Sequence, residues 1–166
     1  MIVYHGSVVS VENPQILDSQ RLLDFGAGFY TTTNREQAVR WSQRVAARRK
    51  TDTRYLSKYE FDIEKAEKEL QILRFEEPDA AWLTFVCDNR AGREPKQAYD
   101  IAIGPVADDM VYTAVTLYEQ GVLELDETIK RLKIQPLYDQ VLFHTEKSLV
   151  FCKYVKHEEI GGKADE

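Results

Sequence analysis

The sequence has few cysteines and no long hydrophobic run, and both absences limit what kind of protein it encodes. Only two of its 166 residues are cysteines, Cys87 and Cys152. They do not form a metal-spaced pair or a disulfide framework, so we expect two buried thiols and no metal site. No stretch of about 18 apolar residues occurs, and the first residues lack the basic start and apolar core of a signal peptide. These features predict a cytoplasmic protein that does not contact a membrane.

The chain as a whole has fewer basic residues than acidic ones, with 22 Lys and Arg against 28 Asp and Glu. The formal net charge is −6 at pH 7, which argues against a protein that coats nucleic acid. Basic residues are nevertheless concentrated between Arg40 and Lys50. Such a run is typical of a solvated helix face, and the alternative is a surface that docks an acidic partner or acceptor.

Linkers rich in glycine, proline or serine are absent, so the sequence predicts a single domain over residues 1–159. Residues 160–166 are small and polar and are expected to form a disordered tail. Within the domain, short alternating strands and amphipathic helices follow one another without a regular βαβ repeat. This order favours the α+β class.

A helix is predicted directly after the segment Gly26–Thr33. Thr33 or Asn34 can begin it, because each is followed three residues later by Glu36 or Gln37 in a capping-box pattern. The spacing of the apolar residues on this helix predicts an inward face. That face would consist of Ala38, Trp41 and Val45.

Three short segments carry the candidate functional side chains: Tyr4–Ser7, Gly26–Tyr30 and Asp139–Val141. Each has a structural interpretation when taken alone. A histidine such as His5 at a strand end is commonly structural, Tyr30 would usually belong to a core, and Gln140 would be a polar position on a half-buried strand. The glycine pair does not fit a dinucleotide-binding Rossmann turn, because it lacks the third glycine and the βα context.

Taken together and in order, the segments resemble the histidine–tyrosine–glutamate branch of the ADP-ribosyltransferase superfamily. In that branch a strand ends in His-Gly, a Gly-x-Gly-apolar-Tyr segment opens into a helix, and a late strand carries a glutamate. The corresponding residues here are His5-Gly6, Gly26 to Tyr30, Trp41 eleven residues after Tyr30, and Gln140 in place of the glutamate. Nearly the whole chain also resembles a family of uncharacterised bacterial proteins of that superfamily (DUF3990-like), through YHGS, DFGAGFYTT, YDIAIGPVADD and QVLFHTEK.

The resemblance implies a fold of split antiparallel β-sheets with flanking helices, and NAD as the substrate. It further implies that Tyr30 and Trp41 stack on the positively charged nicotinamide ring. The backbone of Gly6 would bind the carboxamide, and His5 would bind a ribose hydroxyl.

Two polar residues at the end of a later apolar helix, Asn89 and Arg90, have two interpretations. They can cap the helix C-terminus, or they can contact the pyrophosphate of NAD.

Gln140 is the main departure from the family pattern. Its amide can bind the ribose 2′-hydroxyl, but it carries no negative charge to stabilise an oxocarbenium-like sugar, at a cost of roughly 3 kcal/mol or about a hundredfold in rate. Asp139 is expected to point to the opposite face of the strand. The sequence leaves open whether four further acidic residues approach the ligand or are structural: Asp100, Asp108, Asp109 and Glu146.

With His5, Tyr30 and Gln140 as the catalytic set, the resemblance implies a mono-ADP-ribosyltransferase. Its acceptor would be an unidentified protein or nucleic acid, in a bacterial toxin–antitoxin pair with a small antitoxin-like protein or as an effector. The alternative is a pseudo-transferase that binds NAD or a related nucleotide and acts through a protein partner. A nucleic-acid modifier of the same fold is a third interpretation, which only the basic run supports.

Overall fold

The computed structural model describes residues 1–17, 23–93, 96–106, 109–134 and 138–161, without the side chains of Asp109 and Met110. Seven strands and six helices lie within these ranges. In chain order they are β1 (Ile2–Ser7), β2 (Phe29–Thr31), α1 (Arg35–Arg49), β3 (Tyr55–Phe61), α2 (Ile63–Glu69), β4 (Ile72–Arg74), α3 (Ala80–Arg90), β5 (Ile101–Pro105), α4 (Asp109–Glu119), α5 (Leu125–Ile134), β6 (Asp139–Phe143), α6 (Glu146–Leu149) and β7 (Cys152–Glu159).

The strands form two sheets, which confirms the predicted α+β class. Sheet A has the antiparallel order β1-β3-β7, and sheet B has the order β2-β6-β5-β4. The expectation of purely antiparallel sheets is wrong at one pair, because β4 runs parallel to β5. The chain passes through α3 between these two strands, and such a crossover connection is what parallel neighbours require.

The two sheets pack face to face through one apolar cluster, and the outer face of sheet B packs on helices through another. The first cluster includes Val3, Phe29, Tyr59, Val141 and Phe143. The second includes Phe25, Trp82, Val115, Leu132 and Leu142, with Tyr30 packed against it. Because side chains alternate along a strand, neighbouring residues of β2 and β6 contribute to different clusters.

Helix α1 lies against β1 and begins after Asn34, whose side chain accepts a hydrogen bond from the N–H of Gln37 (2.9 Å). Its buried face consists of Ala38, Ser42 and Ala46. The predicted inward face is therefore wrong at Trp41, which is 40% exposed. Small residues at every fourth position let the helix approach the sheet, whereas an indole would hold it away. A Cβ atom at Gly6 would overlap the carbonyl oxygen of Ala38.

Several other predictions can be compared with the structure. Helix α2 was not predicted from the sequence. Both cysteines are buried free thiols, as expected, and burial raises the pKa of Cys87 to about 11 and that of Cys152 to about 12.

In the predicted tail, the N–H of Ile160 donates to the carbonyl of Arg54 (2.8 Å), and residues 162–166 lie outside the described ranges. Within those ranges, no helix combines the length and apolar character needed to cross a membrane.

Candidate functional site

The loop before β2 is held by a series of side chains from distant parts of the chain. Four consecutive carbonyl oxygens, from Asp24 to Ala27, each accept a hydrogen bond from a different side chain. The donors are Asn89 Nδ2 to Asp24 (3.2 Å), the Tyr99 hydroxyl to Phe25 (2.8 Å), the Tyr30 hydroxyl to Gly26, and His144 Nδ1 to Ala27 (2.6 Å). Because these donors come from α3, β2 and the segments beside β5 and β6, the loop is fixed to sheet B before any ligand arrives.

The glycines of this loop are required by close approach and by backbone conformation. Gly26 has a φ of 84°, in the region that disfavours side chains, and Gly28 has a φ of 156°. A Cβ atom at Gly28 would also overlap the carbonyl oxygen of Phe143. The glycines therefore let β6 approach the backbone of this loop closely.

Asn89 and Arg90 both take part in holding this loop. Asn89 Nδ2 donates to the carbonyls of Asp24 and of Phe85, one turn earlier in α3. Arg90 is only 12% exposed and lies 3.4 Å from Glu119 and 4.0 Å from Asp24. Its guanidinium also stacks 4.1 Å from the ring centroid of Tyr112. The Nη1 atom of Arg90 is buried and has no hydrogen-bond partner among the described residues. The pyrophosphate role of these two residues stays a prediction.

His5 connects β1 to the backbone of β2. Its Nδ1 lies 2.7 Å from the carbonyl oxygen of Tyr30, and its ring packs 4.6 Å from that of Phe29. A carbonyl only accepts, so Nδ1 carries the proton and donates. Burial lowers the pKa of His5 below 6.5, against a smaller opposing effect of the Tyr30 carbonyl. At neutral pH the ring is therefore uncharged, and its Nε2 is an acceptor suited to a hydroxyl group.

Gly6 presents unpaired backbone groups beside this histidine. Two residues earlier, Tyr4 exchanges both backbone hydrogen bonds with Thr32 (2.8 and 3.0 Å). Alternation along the strand directs the N–H and C=O of Gly6 the same way, away from β3. Among the described residues, no backbone group bonds to Gly6 on that side. The strand thus offers one donor and one acceptor, the pair that a primary carboxamide needs.

Gln140 lies on β6 opposite Gly104, and its side chain shares a face with Leu142. Leu142 is in register with Tyr30, so Gln140 and Tyr30 project from the same face of sheet B. The Gln140 Nε2 atom is buried and has no hydrogen-bond partner among the described residues.

Asp139 behaves as expected for the opposite face of β6. Its carboxylate accepts from the hydroxyls of Thr32 and Thr33 and from the N–H of Thr33, at 2.7 to 3.0 Å. All three donors belong to the segment between β2 and α1. Asp139 therefore ties the start of β6 to the start of the helix.

A second contact between α1 and the segment just before β6 lies one turn further along the helix. The Arg40 guanidinium donates to the Tyr138 hydroxyl at 2.6 Å and lies 4.9 Å from the centroid of that ring. Helix α1 thus contacts Gly6 on one side and the residues just before Gln140 on the other. We call the region bounded by Gly6, Gln37 and Gln140 the sheet junction.

Trp41 lies on the exposed surface of α1, and the Arg48 guanidinium lies 5.4 Å from its ring centroid. Within the described part of the chain, no ring contact joins Trp41 to Tyr30 or His5. The structure therefore brings His5 to the backbone of Tyr30 and places Gln140 on the Tyr30 face, but it leaves Trp41 outside this group. Its stacking role stays a prediction.

The acidic residues left open by the sequence have separate positions. Asp100 is buried, and it accepts from the Gln71 N–H (3.0 Å), the Thr145 hydroxyl (2.9 Å) and Lys147 (3.2 Å). Burial alone would raise the pKa of Asp100, but these donors lower it below 3.8. Its role is therefore to join β5 to the segment after β6. Glu146 is exposed at the start of α6. Asp108 and the side chain of Asp109 are not described.

Two surface grooves lie near the described elements. One, of about 510 Å³, is lined by residues that include Phe75, Glu77, Tyr138 and Asp139. The other, of about 550 Å³, is lined by Val8, Arg49 and Tyr55 among others. Neither is lined by His5, Tyr30 or Gln140, although the first begins beside Gln140. In the described ranges, no group of three or more His, Cys, Asp or Glu residues could hold a metal ion.

Sequence reasoning did not predict the unpartnered side-chain atom of Gln37 or the hydrogen bond from Asn89 to the loop. It also did not predict the hydrogen bonds that Asp139 and Arg40 make. Asn89, Asp139 and Arg40 each bond to a partner far away in the chain, and the unpartnered Oε1 atom of Gln37 is a result of packing, so no local pattern signals any of them.

Comparison with known proteins gives one match. The model of a family described as a protein of unknown function (DUF3990) matches residues 1–154. No curated protein and no solved structure matches the chain.

Proposed function

The chain belongs to the DUF3990 family, and from the geometry of its own residues we propose that it binds NAD at the sheet junction and transfers ADP-ribose. On this proposal the fold is of the ADP-ribosyltransferase type. The order of His5-Gly6 on β1, the glycine loop before β2, and Gln140 on β6 supports that assignment. The acceptor is a protein or nucleic acid, and a toxin–antitoxin pair with a small antitoxin-like partner stays a prediction.

The observation that carries the proposal is the unpartnered Nε2 of Gln140. Leaving a buried donor without an acceptor costs about 1–3 kcal/mol, so proteins rarely keep one without a use for it. A ribose 2′-hydroxyl oxygen would accept from this amide and recover that free energy. The amide would then hold the sugar at the end of β6.

Two neighbouring groups fit the remainder of the nicotinamide riboside. Gly6 offers the backbone donor and acceptor that a carboxamide pairs with, and His5 Nε2 accepts from a ribose hydroxyl. Gln140, Gly6 and His5 all act without a net charge. This suits a ligand whose nicotinamide ring is itself a cation, because none of these three residues places a fixed positive charge against it.

The proposed reaction breaks the bond between the ring nitrogen of nicotinamide and C1′ of the ribose. The bonding electron pair leaves with nicotinamide, which becomes a neutral ring. The acceptor's nucleophilic atom supplies a new electron pair to C1′ and releases a proton to solvent. Gln140 orients the ribose in this step, but it provides no charge to stabilise the developing cation.

This neutral amide favours a second candidate function, a binding module. A protein that retains the Gly6 and His5 groups but lacks a carboxylate would bind NAD tightly and cleave it slowly. Such a chain would signal the presence of NAD through a protein partner.

The test is incubation of the purified chain with NAD labelled in the ADP-ribose moiety, together with a cell lysate. Nicotinamide release and transfer of label to macromolecules are measured in the same sample. Both signals together support the transferase, and release without transfer indicates a glycohydrolase. Binding in calorimetry without either signal supports the binding module. A chain that neither binds nor cleaves NAD contradicts both.

A further inference from the structure

A second buried amide atom at the sheet junction lacks a partner. The Oε1 atom of Gln37 is buried and accepts no hydrogen bond from any described residue. The backbone N–H of the same residue is used, since it donates to the cap residue Asn34. The backbone of Gln37 is therefore fixed at the first turn of α1, and no described residue satisfies its side-chain acceptor.

The contacts of its neighbours locate this side chain. One turn before it, Thr33 donates to Asp139, and one turn after it, Arg40 donates to Tyr138. Residues three and four apart share a helix face, so Gln37 lies on the face that meets the start of β6. Its sequence neighbour Ala38 contacts Gly6. Gln37 thus lies on α1 between the contact of the helix with Gly6 and its contacts with Tyr138 and Asp139, which directly precede Gln140.

We propose that Gln37 recognises the carboxamide of nicotinamide, an inference that rests on the proposed function. A primary carboxamide has two N–H groups and one carbonyl oxygen. The N–H of Gly6 donates to that oxygen, and the C=O of Gly6 accepts from one N–H. Gln37 Oε1 accepts from the other. Gln37 therefore selects a carboxamide over a carboxylate, which has no N–H to offer.

Trp41 is consistent with this placement. It follows Gln37 by four residues and so occupies the same face of α1, one turn further along. A nicotinamide ring held by its carboxamide at Gln37 can extend along the helix toward the exposed indole. Trp41 is 40% exposed, and the nicotinamide ring would stack on its indole in place of, or opposite to, the Arg48 guanidinium.

The test compares two dinucleotides, NAD and its nicotinic acid analogue, in calorimetric titrations of the full chain. The variant Gln37→Met keeps the length of the side chain and removes its acceptor. Wild type should bind NAD about tenfold more tightly than the analogue, and Gln37→Met should lose that preference through weaker NAD binding. Gln43→Met is the matched control, because Gln43 is an exposed glutamine on the same helix, and it should retain the preference.

A stability measurement separates ligand recognition from a structural role. Removing an unsatisfied acceptor should raise the melting temperature of the free Gln37→Met chain, whereas loss of a structural contact would lower it. Gln37→Glu provides a near-isosteric second variant, whose carboxylate still accepts from a carboxamide but repels the carboxylate of the analogue. Its preference for NAD should increase.

The outcomes are distinct. If wild type binds NAD and Gln37→Met keeps the same preference, this inference is overturned while the proposed function stands. A wild type that prefers the nicotinic acid analogue also overturns it, since the group at Gln37 would then be a donor. If wild type binds neither dinucleotide, the proposed function fails, and this inference fails with it.

Discussion

His5 donates from Nδ1 to the backbone carbonyl of Tyr30 across 2.7 Å, so one hydrogen bond fixes both the imidazole tautomer and the spacing of β1 and β2. The bond uses the side chain of one residue and the backbone of the other. The two side chains therefore remain separate, and the Tyr30 hydroxyl is used instead to hold Gly26. With Nδ1 protonated, Nε2 is the only ring atom of His5 that can accept from a ligand.

The first prediction concerns the effect of pH on stability. The pKa of His5 is lowered by burial below its ordinary value of 6.5, so the unfolded chain binds the proton more tightly. The stabilisation is fully present above pH 6.5 and is lost as the pH falls from 6.5 through the folded-state pKa. We expect the free energy of unfolding to decrease over that window in urea titrations.

The control for this prediction is His5→Asn, whose amide can still donate to the Tyr30 carbonyl but does not titrate. The difference between the two pH curves should isolate His5 from His144 and His157. Parallel curves for the two chains would contradict a lowered pKa.

The second prediction separates the hydroxyl of Tyr30 from its ring. Tyr30→Phe removes the hydrogen bond to Gly26 and should lower the free energy of unfolding by about 1 kcal/mol. NAD affinity should change by less than about threefold, because the ring is retained. Denaturant midpoints and calorimetry measure the two effects. Tyr118→Phe, on a tyrosine packed against the same cluster, should cost less stability, and an equal cost would argue against the Gly26 contact.

The third prediction tests Trp41. Because the side chain is 40% exposed, Trp41→Ala should change the free energy of unfolding by about 0.5 kcal/mol or less. If the indole stacks on nicotinamide, the same substitution should weaken NAD binding about tenfold, and Trp41→Phe should restore part of the affinity. Tyr112→Ala is the control, since Tyr112 is also an exposed ring beneath an arginine. Equal losses in both variants would remove Trp41 from the site.

The fourth prediction separates the transferase from the binding module. Gln140→Glu introduces a carboxylate at nearly constant volume where positive charge would develop, and nicotinamide release should rise by up to about a hundredfold. Gln140→Ala should lower any wild-type rate much more than it lowers NAD affinity. Because burial raises the pKa of a carboxyl group, the assay is repeated at higher pH. Release that stays undetectable in wild type and in the glutamate variant at every pH would favour the binding module.

Much of the fold follows from local patterns in the sequence. The glycine near the end of β1, the cap at Asn34 and the apolar run of β6 each specify their element through neighbouring residues. The inward face of α1 was predicted wrongly at Trp41, because an apolar side chain was expected to be buried there. Which face is buried depends on how closely the helix approaches Gly6, and that distance is set by β1, more than thirty residues earlier.

The site is less predictable for a related reason. The sequence identified His5, Gly6, Tyr30 and Gln140 as candidates. The structure places His5 and Gly6 on β1, next to Tyr30 on β2. The sequence could not show that Gln37 and Gln140 carry unpartnered atoms, because a missing partner is a property of the packed structure. Nor could it show that Asn89 holds a carbonyl 65 residues away.

The most direct test of NAD binding at the sheet junction is an NMR titration of the 19.2 kDa chain with NAD. The backbone N–H signal of Gly6 and the side-chain NH₂ signals of Gln140 are followed together, with the side chain of the exposed Gln43 as an internal control. We predict that Gly6 and Gln140 shift in a saturable manner with the same dissociation constant, while Gln43 does not. Unchanged signals at saturating NAD, or shifts confined to the groove at Phe75 and Glu77, would contradict binding at the sheet junction.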